Sequence, residues 1–341
     1  MACIDFPHAH QYIQGILRRL LFEQKTGKRK TISFKNEGYL RINRDHLCVC
    51  ICTFKRREML GHLLDTLKQQ ETCGFFTYSI LVVDNDYEKS AKETIAKARV
   101  ASPVLISYDV EPIQNISLAR NRALKTADGD FLACLDDDEY ADKQWLLSLY
   151  EAIKKYSADV ILGPVLPCFS ESPPSWVLRG GLFDRESFPT GTVIKNPNQT
   201  RSGNFMISRK MVRDNDDLFD PAFGLIGGED SDFFKRMLER GYLFIWCQEA
   251  RVFETVPSSR VTRTYLLKRA LMRGAAAAKR GPLISTDTFL SVIAFISYTI
   301  ALPFLLLGGH HLFMRYLIKD CDHLAKLLAR FGIKVMRQWP S

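Results

Sequence analysis

From residue 46 onward, short apolar runs of strand length alternate with amphipathic stretches of helix length. The spacing predicts strands over 46–53, 79–84, 104–108, 130–135 and 160–163, with helices over 58–70, 89–99, 118–126 and 143–156 between them. Such a run of βα units demands a mostly parallel sheet with helices on both faces, an α/β architecture. Polar residues collect where the strands end, at Thr53, at Asp84-Asn85-Asp86 and at Asp136-Asp137-Asp138-Glu139. In an open α/β sheet that edge is the ligand-binding crevice.

Residues 164–200 are rich in Pro, Ser and Gly and interrupt the alternation. They are expected to form a partly irregular excursion over one face, of the kind that carries an acceptor or a lid. Beyond it the pattern predicts a strand over 202–208, a loop over 223–229, a helix over 230–240, strands around 243–246 and 251–253, and a helix over 264–280.

From Gly281 to Met314 the only charged residue is Asp287, and residues 288–308 are uncharged and mostly apolar. That length can span about 30 Å of hydrocarbon. Lys268, Arg269, Arg273, Lys279 and Arg280 precede it, however, and Arg315, Lys319, Lys326 and Arg330 follow it. The positive-inside tendency would hold both flanks in the cytoplasm, which one crossing cannot do. With break points at Pro303 and Gly308-Gly309, a re-entrant or hairpin insertion is the preferred form; a single span and a buried helix pair stay open. The stripe Leu317, Cys321, Leu324, Leu328, Phe331 and Val335 then predicts an amphipathic helix suited to a membrane surface. Near the start, Ile13, Ile16, Leu17, Leu20 and Leu21 recur at helical spacing before a basic run over 25–30. That short helix either packs on the main body or lies on an anionic membrane.

Charge sharpens this division. The net +9 is spread very unevenly: residues 1–44 hold nine Lys and Arg against three acids, 45–250 hold 24 against 31, and 251–341 hold 14 against four. An acidic body therefore sits between basic ends, and the basic residues bracket apolar segments instead of interleaving with aromatics around a groove, which argues against a nucleic-acid binder. The organisation expected is a basic amphipathic extension over 1–44, a globular domain over 45–280 and a membrane-associated helical region over 281–341. Nine cysteines, an odd number with no secretory signal ahead of them, fit a reducing compartment. Cys48, Cys50 and Cys52 alternate along one strand, a spacing that suits core packing better than a zinc or redox site.

Three successive carboxylates, Asp136-Asp137-Asp138, repel one another unless they are well solvated or a cation sits among them. A hard divalent ion, Mn2+ or Mg2+, would take one or two of them and fill its other positions with water and phosphate oxygens, which points to a diphosphate-bearing substrate. Standing alone, the cluster would equally read as a solvated acidic turn. Asp84 ends a neighbouring strand at the same edge, and Arg120, Asn121 and Arg122 are expected to open a helix whose amino end favours an anion. Downstream, Gly227-Gly228-Glu229-Asp230 sets two carboxylates at a helix start behind a flexible glycine pair. A cation site, an anion site and a spare carboxylate are the parts needed to transfer a group from a phosphate-activated donor.

The motifs Val49-Cys50-Ile51-Cys52-Thr53-Phe54-Lys55-Arg56, Val82-Val83-Asp84-Asn85, Leu118-Ala119-Arg120-Asn121-Arg122, Leu135-Asp136-Asp137-Asp138-Glu139, Ser202-Gly203-Asn204 and Gly228-Glu229-Asp230 resemble, in this order, family 2 glycosyltransferases of the GT-A (Rossmann-like) fold. The resemblance covers about residues 45–280. It is nearest to bacterial exopolysaccharide glucosyltransferases of the succinoglycan type, which share a stretch like Phe253-Glu254-Thr255-Val256-Pro257 followed by an Arg-rich helix.

The resemblance implies a role for each position. Thr53 and Asp84 would contact the nucleotide base, and Arg56 and Arg120 would lie near base or diphosphate. Asp136 and Asp138 match the family's DxD pair, Asp136 facing ribose or metal and Asp138 binding the ion. Asp230 would be the general base, with Glu229 beside it as the lesser candidate. The family's processive members carry a QxxRW string that this chain lacks; Arg269 and Arg273, one helical turn apart, could hold the diphosphate instead. Asn204 and Trp176 are candidates for sugar contact. The implied protein is an inverting, metal-dependent, non-processive glycosyltransferase on the cytoplasmic face of a bacterial inner membrane. It would take a nucleotide-sugar donor, UDP-linked, and a lipid-linked saccharide acceptor, and would meet an anionic membrane surface. The rivals are a nucleotidyltransferase, which predicts a Gly-rich, Lys-bearing loop absent after Thr53, and a non-catalytic sugar-binding protein, which predicts loss of the acidic site.

Overall fold

The structure is a computed structural model, and it describes residues 44–225, 227–278 and 285–333. The chain divides into two units, 1–43 and 44–341. The amphipathic stretch expected at 13–21, its basic run, and Lys279, Arg280 and Val335 lie outside the described residues.

Seven strands form the main sheet: β1 (Asp45–Thr53), β2 (Phe76–Asp84), β3 (Leu105–Val110), β4 (Phe131–Asp136), β6 (Val160–Leu162), β8 (Asn204–Ser208) and β9 (Phe244–Trp246), in the order β3-β2-β1-β4-β8-β6-β9. Every neighbouring pair is parallel except β4–β8 and β8–β6. Because β8 runs backwards, its first residue meets the ends of the parallel strands: Thr53 is opposite Asp84, Cys52 opposite Asp136 and Leu135 opposite Asn204. The crevice edge is therefore built from four strand ends.

Alternation along β1 divides the core. Leu47, Val49 and Ile51 face α1 (Arg57–Leu67) and α4 (Trp145–Tyr156), with Leu60, Leu64, Trp145 and Leu149 fully buried among them. Cys48 and Cys50 face the other way, toward α3 (Ile116–Thr126) and α7 (Glu229–Glu239), beside Ala119, Phe233 and Phe234. These two cysteines serve as small core side chains on a period-2 strand. α2 (Lys92–Arg99) starts later than its apolar pattern suggests, since Lys89 adopts φ +59°, outside the helical region.

A second sheet holds three strands, β5 (Glu139–Ala141), β7 (Val165–Phe169) and β10 (Val252–Val256), in the order β5-β10-β7; the pattern marked β10 at 251–253 but neither of its partners. The amide of Thr255 donates to the carbonyl of Asp138 at 2.8 Å, and Tyr140 stacks on Phe253 with ring centroids 5.2 Å apart. This sheet grips the acidic triplet from behind. The excursion after residue 164 thus begins as a strand and continues as the short α5 (Ser175–Arg179), before α6 (Arg209–Arg213) follows β8.

Three helices close the described chain: α8 (Arg263–Ala278), α9 (Thr286–Leu307) and α10 (His310–Arg330). α10 packs along both α8 and α9. A Cβ on Gly274 of α8 would stand 2.1 Å from the carbonyl oxygen of Asp322, so only glycine permits this crossing. α9 and α10 run antiparallel about Gly309 (φ +118°): Thr299 donates to Asp320 at 3.2 Å, Lys326 to Asp287 at 2.6 Å and Arg330 to Asp287 at 2.8 Å. Of the stripe read as membrane-facing, Leu317, Cys321, Leu324 and Leu328 are half-buried on α10, which packs against α8 and α9, whereas Phe331, just past its end, is 69% exposed. The outward apolar surface belongs to α9, where Ile300 is 63% and Phe304 70% exposed while Ser291 is buried. By length and composition α9 could cross a membrane.

Candidate active site

The acidic triplet is neutralised by arginines from three separate elements. Arg56, at the start of α1, donates to Asp137 at 2.7 Å and to Asp138 at 3.2 Å, and Thr53 donates its hydroxyl to Asp137 at 2.8 Å. Arg260, just ahead of α8, reaches Asp138 at 3.0 Å and Glu254 at 3.3 Å. Arg120 bridges Asp136 (3.0 Å) and Glu229 (2.5 Å). Burial pushes the Asp137 carboxyl up to about 6 against the pull of Arg56. Burial alone would pull the Arg120 guanidinium down, but Asp136, Glu229 and Asp230 more than offset it, and its pKa ends well above the usual range. The buried Glu139 accepts the Asp136 amide at 3.0 Å, and burial raises its carboxyl well above the ordinary value.

Why Glu229 and Asp230 arrive here follows from local structure. Asn115 caps α3 through the amide of Leu118 and holds the carbonyl of Pro221, while a Cβ on Gly224 would collide with Asn115 Oδ1 at 1.8 Å. Pro221 and Gly224 are therefore pinned to the start of α3. Gly227 (φ +81°) and Gly228 (φ +94°) then turn the chain through a conformation that side chains resist, and α7 begins. Glu229 points in and is 7% exposed; burial raises its pKa although Arg120 pulls the other way. Asp230 is half-exposed; Oδ1 accepts the Ser231 amide at 2.7 Å, and among the described residues it forms no ion pair and Oδ2 accepts no hydrogen bond.

Asp84 is fully buried at the end of β2. Its Oδ2 accepts the Ala91 amide (2.8 Å) and the Tyr108 hydroxyl (2.9 Å), Oδ1 has no hydrogen-bond partner among the described residues, and burial raises its pKa. An unsatisfied buried acceptor calls for a donor from outside. Thr53, Asp84, Asp136, Asp138, Arg56, Arg120, Glu229 and Asp230 thus share one edge.

Three expectations are corrected by placement. α3 begins at Ile116, so Arg120, Asn121 and Arg122 lie in its second turn; Asn121 clamps Phe219, and Arg122 is spent on Asp109 at 2.6 Å. The capped amino end of α3 is thus no anion site for them. Asn204 lies behind the crevice at 2% exposure, with its amide fully engaged by Trp145 Nε1 and the carbonyls of Pro164 and Ala250, and it has nothing left for a sugar. Trp176 joins α5 to the terminal helices, its ring meeting His310 edge-on at 5.3 Å and Arg263 at 5.8 Å. Of the paired arginines, Arg273 is tied to Asp322 at 3.1 Å, whereas Arg269 is not ion-paired among the described residues. Arg185 and Arg201 carried no motif and were missed, and Glu139 and Glu254 stood in motifs without an assigned role of their own; only the fold brings them here.

Whether a divalent cation fits can be judged from the carboxylates. Among the described residues no three His, Cys, Asp or Glu gather into a cage. Asp138 Oδ1 and Asp136 Oδ2 accept no hydrogen bond among those residues. Mn2+ or Mg2+ needs one or two carboxylates when phosphate and water complete its shell, so these two oxygens fit an ion that arrives with a diphosphate.

The sequence profile of glycosyl transferase family 2 matches residues 48–218, half of the chain. The chain belongs to glycosyl transferase family 2. It is 33% identical over 233 residues to the succinoglycan biosynthesis protein ExoM of Rhizobium meliloti (strain 1021), covering 67% of this chain and 73% of that one. Over 240 residues it is 22% identical to the chondroitin synthase of Pasteurella multocida (strain Pm70), covering 62% of this chain and a quarter (25%) of that much longer protein. The crystal structure of S. aureus TarS 1-349 superposes with a TM-score of 0.48 at 15% identity, covering 85% of this chain and 93% of that one. The membership, the seven-stranded mixed sheet and the acidic edge together make this a glycosyltransferase of the GT-A architecture.

Proposed function

We propose that this glycosyltransferase moves one sugar at a time, with inversion, from a nucleotide-diphosphate donor of the UDP type to a polyprenyl-diphosphate-linked saccharide during bacterial exopolysaccharide assembly. The observation that carries the reading is the singular state of Asp230. Asp136, Asp137, Asp138 and Glu229 are each bonded to an arginine, whereas Asp230, at the same edge, has no ion-pair partner among the described residues. A single carboxylate left without a cation supports one general base and a single displacement. Asp230 takes the proton of the acceptor hydroxyl, the oxygen forms its bond to the anomeric carbon, and the bond from that carbon to the diphosphate oxygen breaks with its electron pair leaving on the nucleotide.

Asp84 Oδ1 suits an N–H donor on the base edge, as a uracil offers. Asp138 and Asp136 would hold the Mn2+ or Mg2+, which when bound offsets the charge of the departing diphosphate. Arg56 and Arg260 flank Asp138 and add fixed positive charge there. The name of the Rhizobium relative supports the assignment to exopolysaccharide synthesis. The exposed apolar face of α9 and the basic residues around it support attachment to the cytoplasmic membrane surface, where a lipid-linked acceptor is met. Its partner α10 carries Arg315, Lys319, Asp320, Asp322, Lys326 and Arg330, so the hairpin suits an in-plane seat better than a crossing.

The test is nucleotide release by the full chain across UDP-, GDP- and dTDP-sugars, with and without lipid-linked saccharide and divalent ion. The reading requires acceptor-dependent release from a UDP-sugar that chelation abolishes. Release that ignores the acceptor in every arm would refute it.

A further inference from the structure

The stretch Phe253-Glu254-Thr255-Val256-Pro257 takes no part in the displacement at Asp230, yet main chain and side chain both tie it to the acidic triplet. β10 is the central strand of the second sheet, with Glu254 opposite Glu139 on one side and Pro167 on the other. The next amide, that of Thr255, donates to the carbonyl of Asp138 at 2.8 Å. The Glu254 side chain is largely enclosed, 14% exposed, and its two oxygens go to two guanidinium groups. Oε1 accepts from Arg260 at 3.3 Å, and Oε2 accepts from Arg185 of the 164–200 excursion. Arg260 reaches on to Asp138 at 3.0 Å, and Arg56 meets the same Asp138 oxygen at 3.2 Å. Arg185, Glu254, Arg260, Asp138 and Arg56 therefore form one continuous chain of ion pairs, from the excursion to the first turn of α1.

The backbone that carries Arg260 is held as firmly. Pro257 leads into a single 3-10 turn, Ser258–Val261, in which the Arg260 amide donates to the Pro257 carbonyl at 2.9 Å. Val256 and Val261, on either side of Arg260, are buried in one cluster with Val177 of α5. An arginine held at both its base and its head has less rotamer freedom to lose when an anion arrives. Glu254 and Asp138 take two of its five N–H donors, and the planar fork suits phosphate oxygens. A cation at Asp138 would weaken the pull of that carboxylate on a guanidinium, whereas Glu254 lies apart from that duty and keeps its hold. We infer that Glu254 is a positioning residue for donor binding: it holds the Arg260 guanidinium beside Asp138, where the nucleotide diphosphate is met. The diphosphate donor rests on the proposed function, and the role of Glu254 goes beyond it. Because Glu254 acts through Arg260, its removal costs the donor nothing further once Arg260 has lost its charge.

A double-mutant cycle read in ligand binding, without turnover, tests this. The full chain with Mn2+ is titrated calorimetrically with UDP and uridine, and with GDP and guanosine, and the better-bound pair is followed. Arg260→Gln is expected to weaken the diphosphate about tenfold and the nucleoside by less than about twofold. Glu254→Gln keeps the shape but sets an amide NH2 against one of the two guanidinium partners. It is expected to weaken the diphosphate about fivefold and the nucleoside by less than about twofold, which also reports that the base site is folded. The double variant should bind the diphosphate within about twofold of Arg260→Gln alone. Losses that multiply to about fiftyfold overturn the inference, because Glu254 would then act independently of Arg260. A Glu254→Gln variant with wild-type diphosphate affinity overturns it as well. Where Glu254→Gln loses the nucleoside too, Glu254→Asp takes its place in the cycle and is read in the same way. A wild type that binds neither diphosphate better than its nucleoside counts against the proposed function and overturns the inference with it, whereas multiplied losses in a chain that prefers UDP leave the proposed function standing.

Discussion

The sheet domain and the terminal helices solve the same problem in opposite senses. In the domain, apolar side chains such as Leu47, Ile51 and Phe233 are fully buried, and polar groups are either exposed or bonded in pairs at the crevice. In the helical layer the polar groups turn inward: Ser291 is 1% and Asp320 7% exposed, while Phe304 and Leu307 reach 70% and 88%. An exposed apolar helix face of this kind favours apolar surroundings, which is why the proposed function seats the helical layer, and not the sheet domain, against a membrane. The charge division read along the chain has the same origin. The acidic body gathers carboxylates that arginines pair with at the crevice, and the basic end stands beside the exposed apolar face of α9.

The difference can be broken most severely at the crevice. Asp230→Asn is expected to lower turnover by about 10²- to 10⁴-fold with UDP affinity unchanged, since the variant keeps the shape and loses the base; initial rates and a UDP titration check both halves. Arg120→Ala should cost about 3–5 kcal/mol, measured by denaturant unfolding, because it leaves Glu229 and Asp136 facing each other without their shared cation.

The helical layer should respond in the reverse way. Ile296→Glu with Ile300→Glu, at positions 51% and 63% exposed, is expected to leave the unfolding midpoint nearly unchanged while weakening vesicle binding by roughly 2–4 kcal/mol, since each side chain contributes only when a lipid phase is present. Flotation against unfolding separates the two effects; an equal loss in both would place α9 in the protein core.

The smallest effect lies at the rim. The hydrogen bonds from Arg240 hold Asp217 down at about 2, so this pair stabilises the fold above the ordinary carboxylate range and its contribution is lost as the pH falls from about 4 to about 2. Both side chains are exposed, so Arg240→Ala should cost under about 1 kcal/mol at neutral pH and nothing below about pH 2, followed by unfolding across that range.

Much of this was legible before folding, because the period-2 strands and their polar ends are local signals. Thr53, Asp84 and Asp136 could be assigned to one edge from the βα rhythm alone, and the GGED turn announced a helix start. The second sheet could not be read. β5 has three residues, and its partner β10 lies more than a hundred positions away, so nothing local marks either as paired. Asn204 misled for a related reason: it sits in a motif-like string, yet its partners Trp145, Pro164 and Ala250 are distant in sequence and close only in the fold.

The most direct test of a single displacement at Asp230 is the anomeric configuration of the product made from a UDP-α-sugar, read from the coupling constant of its anomeric proton. A β-linked product is predicted, because a single displacement assisted by one base inverts the anomeric carbon; an α-linked product would contradict the mechanism outright.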